Sequence, residues 1–543
     1  MKTSVLNHFI IVFALVFSLV KANNINVTNI ALVNQNTTAG LNNAANHTFV
    51  QFDLTWDNSW RNSAGPANWD AAWVFVKFQV FGSPEWLHAT LSSTDANHSI
   101  TNNNGVSMNI DAAANGRGVM VHRTSNGNGS LNLQGVRLRW DYRSGNAVHD
   151  TANVTVRVFA MEMVFVPQGE FFLGDGTLTT PSPSTNSFRI NNVGNNRPYK
   201  VTSENAIQLI ASNVTGGGPD QMFDPLMSTT ATPVFTVPAS FPKGFAAFYI
   251  AKYEVTVKQY VDFFNTLRTD ITTAKNNRNL SGSQPSRSTF TWNASPLTDA
   301  TTGTTSGDRA IGGFSIQDAF TYADWAGLRI LTELEYEKAC RGTDRTGASP
   351  GIAVYPVNGE FAWGENTNNV NVTMPSTGDG TATEGITSSS TQNVNGSFPS
   401  GPVRVGIFAA KNPTSNQRRL TGASYYGVME LTGNLEELVY ITSNNNNYIA
   451  NSSYCTGSTN TSNIYDGRHG DGNINSSTGE HNTFQTTNFD WTYFLPAFKG
   501  GSFSSITTVS ARSTYAYSLC SLLNYTSRSS IRGFRGAISA NQF

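Results

Sequence analysis

The sequence predicts an all-β sandwich followed by an α+β domain. A chain of 543 residues is too long for one hydrophobic core, so two or three domains are expected. Residues 23–160 contain short alternating segments rich in β-branched and aromatic residues, a pattern typical of a β-sandwich. From Met161 onward, segments with helical periodicity are mixed with short strands. We therefore predict the sandwich over residues 23–160 and the α+β domain over residues 161–543.

Residues 1–22 predict a secretory signal peptide. Lys2 precedes an apolar run from Phe9 to Val20, and cleavage is expected after Ala22. The run is shorter than the roughly 20 apolar residues of a transmembrane helix, and no later segment approaches that length. An uncleaved N-terminal anchor is the alternative. We expect a secreted or cell-surface protein without a membrane span.

The composition excludes two classes of partner. Lys and Arg total 35 and Asp and Glu total 36, so the formal net charge is -1. Nucleic acids and anionic membranes both select a basic surface, which this chain does not supply. The three cysteines, Cys340, Cys455 and Cys520, allow at most one disulfide, so the core must be stabilised by packing.

The predicted strands of the sandwich are separated by turns rich in Asn, Gly and Ser. Their sequences are INVTNIALV, TFVQFDLTW, AAWVFVKFQVF, GVSMNIDA, GVMVHR, VRLRWDY and NVTVRVFAM. Four tryptophans are concentrated near the second and third strands: Trp56, Trp60, Trp69 and Trp73. They could form a carbohydrate-binding platform, but large aromatic side chains more often fill a core, and we favour the core interpretation.

Three helices are predicted in the second domain, within YEVTVKQYVDFFNTL, SIQDAFTYADWAGL and TELEYEKACRG. The first has four apolar residues on one face: Val257, Tyr260, Val261 and Phe264. The third begins with Thr332, and Glu335 follows three residues later. This spacing predicts a capping box, in which each side chain binds the other residue's backbone N–H.

Six sequence blocks together resemble the sulfatase-modifying-factor superfamily, which includes the formylglycine-generating enzyme. In chain order they are MVFVPQGEFFLGD, FYIAKYEVTVKQYVDFFN, DWAGLRILTELEYEKACRG, YGVMELTGNLEEL, FKGGSF and RGFRGA. The resemblance implies a C-type-lectin-like fold with little regular secondary structure. RILTE and GNLEEL depart from the pattern, because the family usually has a proline in the first and a second tryptophan in the second. These departures indicate a divergent branch.

The family's enzymes oxidise a cysteine of their substrate to formylglycine and use two cysteines of their own. Those two positions follow the Gly-Gly-Ser-aromatic block, and here they hold Ser505 and Ser510. Cu(I) prefers thiolates, which hydroxyl groups do not replace. We therefore expect no copper and no formylglycine-generating activity. The iron-dependent sulfoxide synthases of the superfamily are not indicated either, because the eight histidines are scattered without a His-x-x-x-His pair.

The resemblance also implies calcium, a hard cation that takes carboxylate and carbonyl oxygens. One site would use Glu430, the carbonyls of Gly433 and Leu435, and Glu437. A second would use Asn371, the carbonyl of Val372, Glu384 and the carbonyl of Ile386, with a spacing one residue short of the usual pattern. The alternative for the first site is a solvated turn without an ion.

The resemblance implies that the segment Ser504–Ile531, here called the C-terminal segment, forms the surface that lectin-like relatives use for ligands. It is dominated by Ser, Thr, Tyr, Leu and Ala, and antibody paratopes likewise combine tyrosines with small hydroxyl residues. Its composition also resembles that of the variable proteins of diversity-generating retroelements, although a Ser/Thr-rich protein could simply have a Ser/Thr-rich tail. The predicted ligand-binding residues are Ser505, Thr507, Ser510, Arg512, Tyr515, Tyr517, Asn524 and Tyr525.

The sequence thus predicts a secreted, non-catalytic protein that binds a protein or glycan ligand, with calcium supporting the lectin-like domain. Two alternatives stay open. One is an enzyme or sulfatase-maturation accessory factor with altered chemistry, which would need titratable groups near Ser505, Ser510 and Arg512. The other is a structural component of a cell-surface or motility apparatus, which would expose a large apolar patch.

Overall fold

The computed structural model describes most of the chain, with gaps that fall mainly in its second half. The described residues are 24–174, 188–192, 195–210, 221–223, 234–285, 287, 291–292, 300–301, 307–342, 360–364, 375–377, 384–386, 401–411, 418–444, 465–483, 494–504, 517–518 and 526–543. The predicted signal peptide lies outside these residues. None of the helices in the described part is long and apolar enough to cross a membrane.

The N-terminal part is built from strands, consistent with the predicted all-β domain. Its strands are β1 (Asn26–Asn36), β2 (His47–Arg61), β3 (Asp70–Val80), β4 (Leu87–His88), β5 (Ser99–Asn102), β6 (Met108–Ala112), β7 (Val119–Arg123), β8 (Gly127–Trp140) and β9 (Val154–Val166). All seven strands predicted from alternation are confirmed. The strands that alternation missed are the short β4 and β5.

The C-terminal part mixes short strands with helices, also as predicted. Its strands are β10 (Phe171–Leu173), β11 (Arg189–Asn192), β12 (Asn195–Arg197), β13 (Tyr199–Val201), β14 (Ile207–Ile210), β15 (Gln221–Phe223), β16 (Val234–Val237), β17 (Phe248–Ala251), β18 (Thr291–Trp292), β19 (Ala300–Thr301), β20 (Leu331–Thr332), β21 (Pro375–Thr377), β22 (Gly385–Ile386), β23 (Glu436–Asn444), β24 (Ile474–Asn475), β25 (Glu480–His481), β26 (Phe494–Lys499), β27 (Tyr517–Ser518), β28 (Arg532–Gly533) and β29 (Ala537–Ser539). Its helices are α1 (Val257–Phe264), α2 (Thr272–Arg278), α3 (Ile316–Trp325), α4 (Glu333–Arg341), α5 (Ile407–Lys411) and α6 (Arg418–Thr421).

Capping boxes begin the three main helices. Thr256 caps α1, Ser315 caps α3 and Thr332 caps α4, and in each case the side chain three residues later returns a hydrogen bond to the cap. The box predicted for Thr332 and Glu335 is therefore confirmed. The apolar face predicted for α1 is confirmed as well, because its four residues are buried.

Two sheets form the sandwich, and one of them continues into the C-terminal part. The first sheet has the order β1-β2-β8-β5, and the second has the order β29-β17-β9-β3-β7-β6 with β4 added beside β3. Phe248 of β17 pairs with Val166 of β9 on one side and with Ser539 of β29 on the other. The domain boundary predicted at residue 160 consequently lies inside β9.

Strand β3 is buried on both faces, which explains its nearly uninterrupted apolar sequence. Val74 and Phe78 belong to the core between the two sheets. Trp73 and Phe75 point the other way and join the core that contains α1 and α3. The arrangement therefore has three layers, with the second sheet between the first sheet and the helices.

Of the four tryptophans near the second and third predicted strands, two lie in these cores and two lie at their edges. Trp56 and Trp73 are 1% exposed, which confirms the core interpretation for both. Trp60 and Trp69 are half-buried, and Trp69 stacks on Phe165 with ring centroids 3.9 Å apart. None of these four rings forms an exposed platform.

Candidate functional site

A small mixed sheet positions the C-terminal segment. Its central strand β23 pairs antiparallel with β26 and parallel with β20 and β28. Glu437 of β23 has Lys499 of β26 as one neighbour and Gly533 of β28 as the other, so β26 and β28 lie on opposite sides of β23. The chain therefore enters the C-terminal segment after β26, on one side of β23, and leaves it at β28, on the other side.

The first end of the segment is held by backbone contacts with the turn before β23. The N–H of Phe503 donates to the carbonyl of Asn434 over 2.8 Å, and the N–H of Gly433 donates to the carbonyl of Gly500 over 2.8 Å. Phe503 is buried beside Leu435 in a small apolar cluster. This end is therefore fixed on the core of the domain.

The second end is held by an ion pair between the half-buried Arg528 and a buried carboxylate. Arg528 donates to both carboxylate oxygens of Asp318, at 2.8 and 2.9 Å, and to the carbonyl of Asn279 at 2.7 Å. Asp318 is fully buried and also accepts from Arg278 at 2.7 Å. Arg278 and Arg528 hold the pKa of Asp318 below its usual value although burial opposes them. Sequence reasoning missed Arg528, because its partner on α3 is distant in the chain.

Between these ends, the predicted ligand-binding residues are mostly outside the described part of the chain. Tyr517 is placed by its backbone in β27, where it pairs with Phe498 of β26. The others lie outside the described residues: Ser505, Thr507, Ser510, Arg512, Tyr515, Asn524 and Tyr525. The structure thus locates where the segment begins and ends and one register position between them.

The first predicted calcium site falls on a buried turn directly before β23. Glu430, Gly433 and Asn434 have φ of 52°, 85° and 60°, so this turn uses the left-handed region repeatedly. Glycine adopts that region freely, whereas glutamate does so at a cost of roughly 1–2 kcal/mol. Glu430 and Glu437 are only 3% and 2% exposed, so the alternative of a solvated turn is not what the structure shows.

The two carboxylates of this site have different partners. Glu437 forms a bidentate ion pair with Arg535. Its Oε2 lies 2.6 Å from Nε of Arg535, and its Oε1 lies 2.5 Å from Nη2. Glu430 accepts one hydrogen bond, from the N–H of Gly406 over 2.9 Å to Oε1. Its Oε2 is buried and has no hydrogen-bond partner among the described residues. Glu437 is therefore paired, and Glu430 keeps one acceptor unused.

Sequence reasoning missed a third carboxylate next to these two. Glu254 is fully buried and accepts from the N–H of Leu435 over 2.9 Å and from the amide of Asn434. It belongs to the block FYIAKYEVTVKQYVDFFN, where an acid between apolar neighbours, Tyr253 and Val255, was the available signal. Glu254, Glu430 and Glu437 together with Arg535 are here called the carboxylate cluster.

The carboxylate cluster has more negative than positive charge. Burial raises the pKa of Glu430 to about 7, and Arg535 only partly opposes this effect. Burial and the neighbouring Glu437 together raise the pKa of Glu254 well above its usual value. Three buried acids close together, with Arg535 and Arg404 as the positive charges that act on Glu430, favour uptake of a proton. The oxygen donors are of the kind that calcium prefers, and the unused Oε2 of Glu430 fits such an ion.

The second predicted calcium site has a different charge balance. Glu384 is buried, and its carboxylate forms ion pairs with Arg309 at 2.7 Å and with Arg287 at 3.3 Å. Arg404 donates to its backbone carbonyl at 3.1 and 3.2 Å. With two guanidinium groups on the carboxylate of Glu384 and a third on its backbone carbonyl, the described half of this site does not fit a further cation. Asn371 and Val372 lie outside the described residues, and Ile386 is placed only by its backbone in β22.

Among the described residues, no three His, Cys, Asp or Glu side chains are arranged so that they could hold a metal ion, and this includes the three acids of the carboxylate cluster. The first predicted site would use two carboxylates and two carbonyls, so it is not of that kind. Cys340 is described and buried, and burial raises the pKa of its thiol. Cys455 and Cys520 lie outside the described residues.

Taken together, these observations define an α+β domain in which a short mixed sheet presents one long Ser/Thr/Tyr-rich segment held at both ends. Comparison with known families agrees with the sequence blocks. The family described as "Sulfatase-modifying factor enzyme 1-like domain" matches residues 200–537. The chain belongs to this family.

Other comparisons are weaker. No curated protein sequence matches the chain significantly. Among solved structures, "Treponema denticola variable protein 1" is similar at a TM-score of 0.30 and 12% identity, over 70% of this chain and 96% of that one. "Major Tropism Determinant I1 Variant" is similar at a TM-score of 0.22 and 13% identity, over 83% of this chain and 86% of that one.

Proposed function

We propose that this protein is a non-catalytic, ligand-binding member of its family that binds through the C-terminal segment. The observation that carries the proposal is the anchoring of both ends of that segment on buried groups. Phe503 is fixed at the start and Arg528 at the end, and the proposal assigns ligand binding to the residues between these two fixed points. Binding residues are commonly found on loops that a rigid scaffold positions.

The composition of the segment supports binding rather than catalysis. Tyrosines provide rigid contact area, and serines and threonines provide adaptable hydrogen bonds. The segment has no Asp, Glu, Lys or His to act as a general acid or base. A protein or a glycan is the proposed ligand class. The same composition supports the proposal that the segment is a variable region of the retroelement type.

The absence of formylglycine chemistry is part of the proposal. Ser505 and Ser510 stand at the two cysteine positions, and a hydroxyl group is a hard donor that stays protonated near neutral pH. Cys340 is buried, and its raised thiol pKa disfavours the thiolate that metal binding requires.

Calcium at the carboxylate cluster is the third part of the proposal. Glu430, Glu437 and the carbonyls of Gly433 and Leu435 would hold the ion, which supplies positive charge and no reaction step. The turn that contains them also carries Asn434, whose carbonyl accepts from Phe503 at the start of the C-terminal segment. An ion on this turn would therefore stiffen the surface that is proposed to bind the ligand. Secretion through the N-terminal signal peptide completes the proposal.

The test compares the wild-type protein with a variant in which Tyr515, Tyr517 and Tyr525 are replaced by alanine. Both are applied to a glycan array and to an array of extracellular proteins. We expect the wild type to retain a ligand that the variant loses, because aromatic anchors carry much of an interface's binding energy. Phe81→Ala is the matched control, since Phe81 is an aromatic residue of the sandwich that is 86% exposed.

Two outcomes would contradict the proposal. If the triple variant loses its cooperative melting transition, the tyrosines are core residues and the segment is scaffold. If the wild-type protein, supplied with copper and a thiol reductant, converts a sulfatase-motif peptide to formylglycine above a no-enzyme control, the protein is an enzyme.

A further inference from the structure

One side of β9 has no neighbouring strand over most of its length. On the first side, β3 pairs with residues 154–164 of β9, whereas on the second side β17 pairs only with residues 163–166. The N–H of Lys252 donates to the carbonyl of Glu162 over 2.9 Å and prolongs the second pairing by one residue. None of the described strands continues it, so residues 154–161 form what is here called the open edge.

The backbone groups of the open edge come from alternate residues. The carbonyl of Glu162 points to this side, and successive residues of a strand point to opposite sides. Val154, Val156, Val158 and Ala160 therefore present their N–H and C=O groups here, and no described strand pairs with them on this side. Proteins usually protect such an edge with a charge, a proline or a bulge, and these four positions have none of the three.

β1 flanks the open edge without pairing to it. It is the outermost strand of the first sheet, where β2 is its described partner. β1 and β9 border two cavities, one beside Val27 and Val158 and the other beside Leu32 and Val154. The second cavity has a volume of about 210 Å³, more than the roughly 150 Å³ that holds a benzene molecule. Two shifts of register bend β1, so it does not follow β9 as a regular ladder.

The core of the sandwich is incompletely covered along this edge. Val154, Val156 and Ala160 pack against the core between the two sheets but are only half-buried, and the same is true of Val27 on β1. An added strand would place every second side chain over these residues, because facing side chains of paired strands lie on the same face of the sheet. Those side chains of the added strand should be apolar.

The other face of the open edge carries a positive charge. Arg157 packs over the ring of Trp86 at 4.4 Å and donates to the carbonyl of Asn265 over 3.2 Å. It is half-buried and forms no ion pair with a described residue. An acidic side chain directly opposite Arg157 on an added strand would be close enough to pair with it. The charge on this face therefore favours an acid at the centre of the added strand.

The walls of the groove restrict the occupant to a single strand. Val27 of β1 and Gln259 of α1 both line the cavity beside Val158, so the open edge lies between two protruding elements. One extended segment fits between them, whereas the edge of a second sheet would collide with them. We propose that the open edge of β9 binds an extended segment of a protein partner by strand addition, with alternate apolar residues toward the sandwich and an acid opposite Arg157.

The test uses the labelled peptide TVTVEVTVT and fluorescence anisotropy on the mature full-length protein. In antiparallel register its four valines face the four outward residues of the open edge, and its glutamate faces Arg157. We expect binding. N-methylation of the four valines should abolish it, because their N–H groups point to β9, whereas N-methylation of the four threonines should not.

Two protein variants test the two recognition elements separately. Val156→Pro removes an N–H that points away from β3, which an edge strand tolerates, and should weaken binding about tenfold. Replacing the glutamate of the peptide by lysine should weaken binding to the wild type about fivefold at low salt. Arg157→Glu should reverse this preference, a change that a purely structural role of Arg157 would not produce.

Matched controls lie outside the open edge. Arg137→Glu alters another half-buried cation of the sandwich, which donates to Gln51 on β2, and should leave the preference between the two peptides unchanged. Alanine at the three tyrosines of the C-terminal segment should also leave peptide binding unchanged. Peptide binding and the proposed function can therefore fail independently.

Four results would overturn the proposal. The first is that the peptide does not bind, and the second is that it binds equally well with its valines N-methylated. The third is that Val156→Pro and Arg157→Glu keep the melting temperature of the wild type and bind both peptides as it does. The fourth is a dimer of the free protein that dissociates in Val156→Pro, which would assign the open edge to a second copy of the chain.

Discussion

At the scale of single residues, the acids of the carboxylate cluster differ in how fully their oxygens are hydrogen-bonded. Glu437 shares its charge with Arg535 through two hydrogen bonds, whereas Glu430 accepts one backbone N–H and keeps Oε2 unused. Glu430 also has a left-handed backbone, with φ of 52°. Buried, strained and under-paired residues are concentrated at functional sites. Glu430 is therefore the residue whose replacement reports most directly on the cluster.

The pH dependence of stability should reveal the under-paired Glu430. Its pKa is about 7 in the folded protein, against an ordinary value of 4.5 for the unfolded chain. The folded state holds the proton more tightly, so this residue lowers the free energy of unfolding as the pH rises from 4.5 to 7. The loss approaches about 3 kcal/mol when no cation is present.

Glu430→Gln should remove that loss, because the amide oxygen can still accept from Gly406 and carries no charge. We expect the variant to exceed the wild type in stability at pH 7 in a chelator and to match it near pH 4.5. Urea unfolding at both pH values measures the difference. Asp70 and Glu436, whose pKa values are raised to about 6 and about 7, contribute the same slope to both proteins, whereas Glu254, whose raised pKa depends partly on Glu430, contributes to the difference. Equal slopes for the wild type and the variant would show that Glu430 is paired in solution.

Calcium should act on the same residue. An ion that binds only the folded protein stabilises it by mass action, so calcium should raise the melting temperature of the wild type at pH 7. Glu430→Leu removes a ligand oxygen and leaves the pair of Glu437 and Arg535 intact, and its melting temperature should not respond. Glu170→Gln, at an exposed ion pair with Lys200, is the control and should respond fully. A wild type that melts at the same temperature in calcium and in chelator would remove the calcium proposal.

At the scale of elements, local sequence determines where the helices start. Thr332 accepts from the N–H of Glu335 over 3.2 Å, and the carboxylate of Glu335 accepts from the N–H of Thr332 over 3.0 Å. The hydroxyl of Thr332 also donates to the carbonyl of Pro242 over 2.9 Å. The cap thus begins α4 and ties it to the segment before β17.

Thr332→Ala should lower the free energy of unfolding by about 1–2 kcal/mol, the usual cost of losing an N-cap in a folded protein. The hydroxyl lost here is fully buried, which places the cost toward the upper end. Thr28→Ala on the exposed face of β1 is the matched control and should change stability little. Chemical denaturation measures both. Equal stability of the two variants would mean that the cap contributes nothing to the folded protein.

At the scale of the whole molecule, the second sheet couples the two parts of the chain. Trp73 of β3 donates from its indole N–H to the carbonyl of Ala326 over 2.9 Å. Lys77 of the same strand donates to the carbonyl of Trp325 over 2.6 Å and to that of Gly472. Lys77 is 1% exposed, and its burial lowers its pKa well below the ordinary value. These contacts cross the boundary that the change in sequence periodicity predicts at residue 160.

The sandwich and the described core around α1 and α3 should therefore unfold together. Separating them would expose Trp73 and Phe75 and break the strand pairing between β17 and β9. Differential scanning calorimetry should show one transition whose calorimetric and van't Hoff enthalpies agree. Two resolved transitions, with the lower one abolished in a protein that lacks residues 23–160, would show that the parts are independent.

The sequence alone determined those features that depend on near neighbours. Alternation found the seven long strands of the N-terminal part, and the capping box at Thr332 located the start of α4. Six ordered blocks also identified the family, whose match over residues 200–537 includes five of them. Each of these signals is contained in a few consecutive residues, so no knowledge of the folded chain is needed to find it.

Only the tertiary structure decided which charges meet and where one part of the chain ends. Glu437 pairs with Arg535, which is 98 residues away in the chain, and the N–H of Leu435 donates to Glu254, which is 181 residues away. Arg287 and Arg309 come together on Glu384 in the same way. β9 runs past residue 160 because its pairing with β17 is a long-range contact. Coulomb and hydrogen-bonding energies depend on distance in space and on burial. Neither the distance nor the burial can be read from the local order of residues.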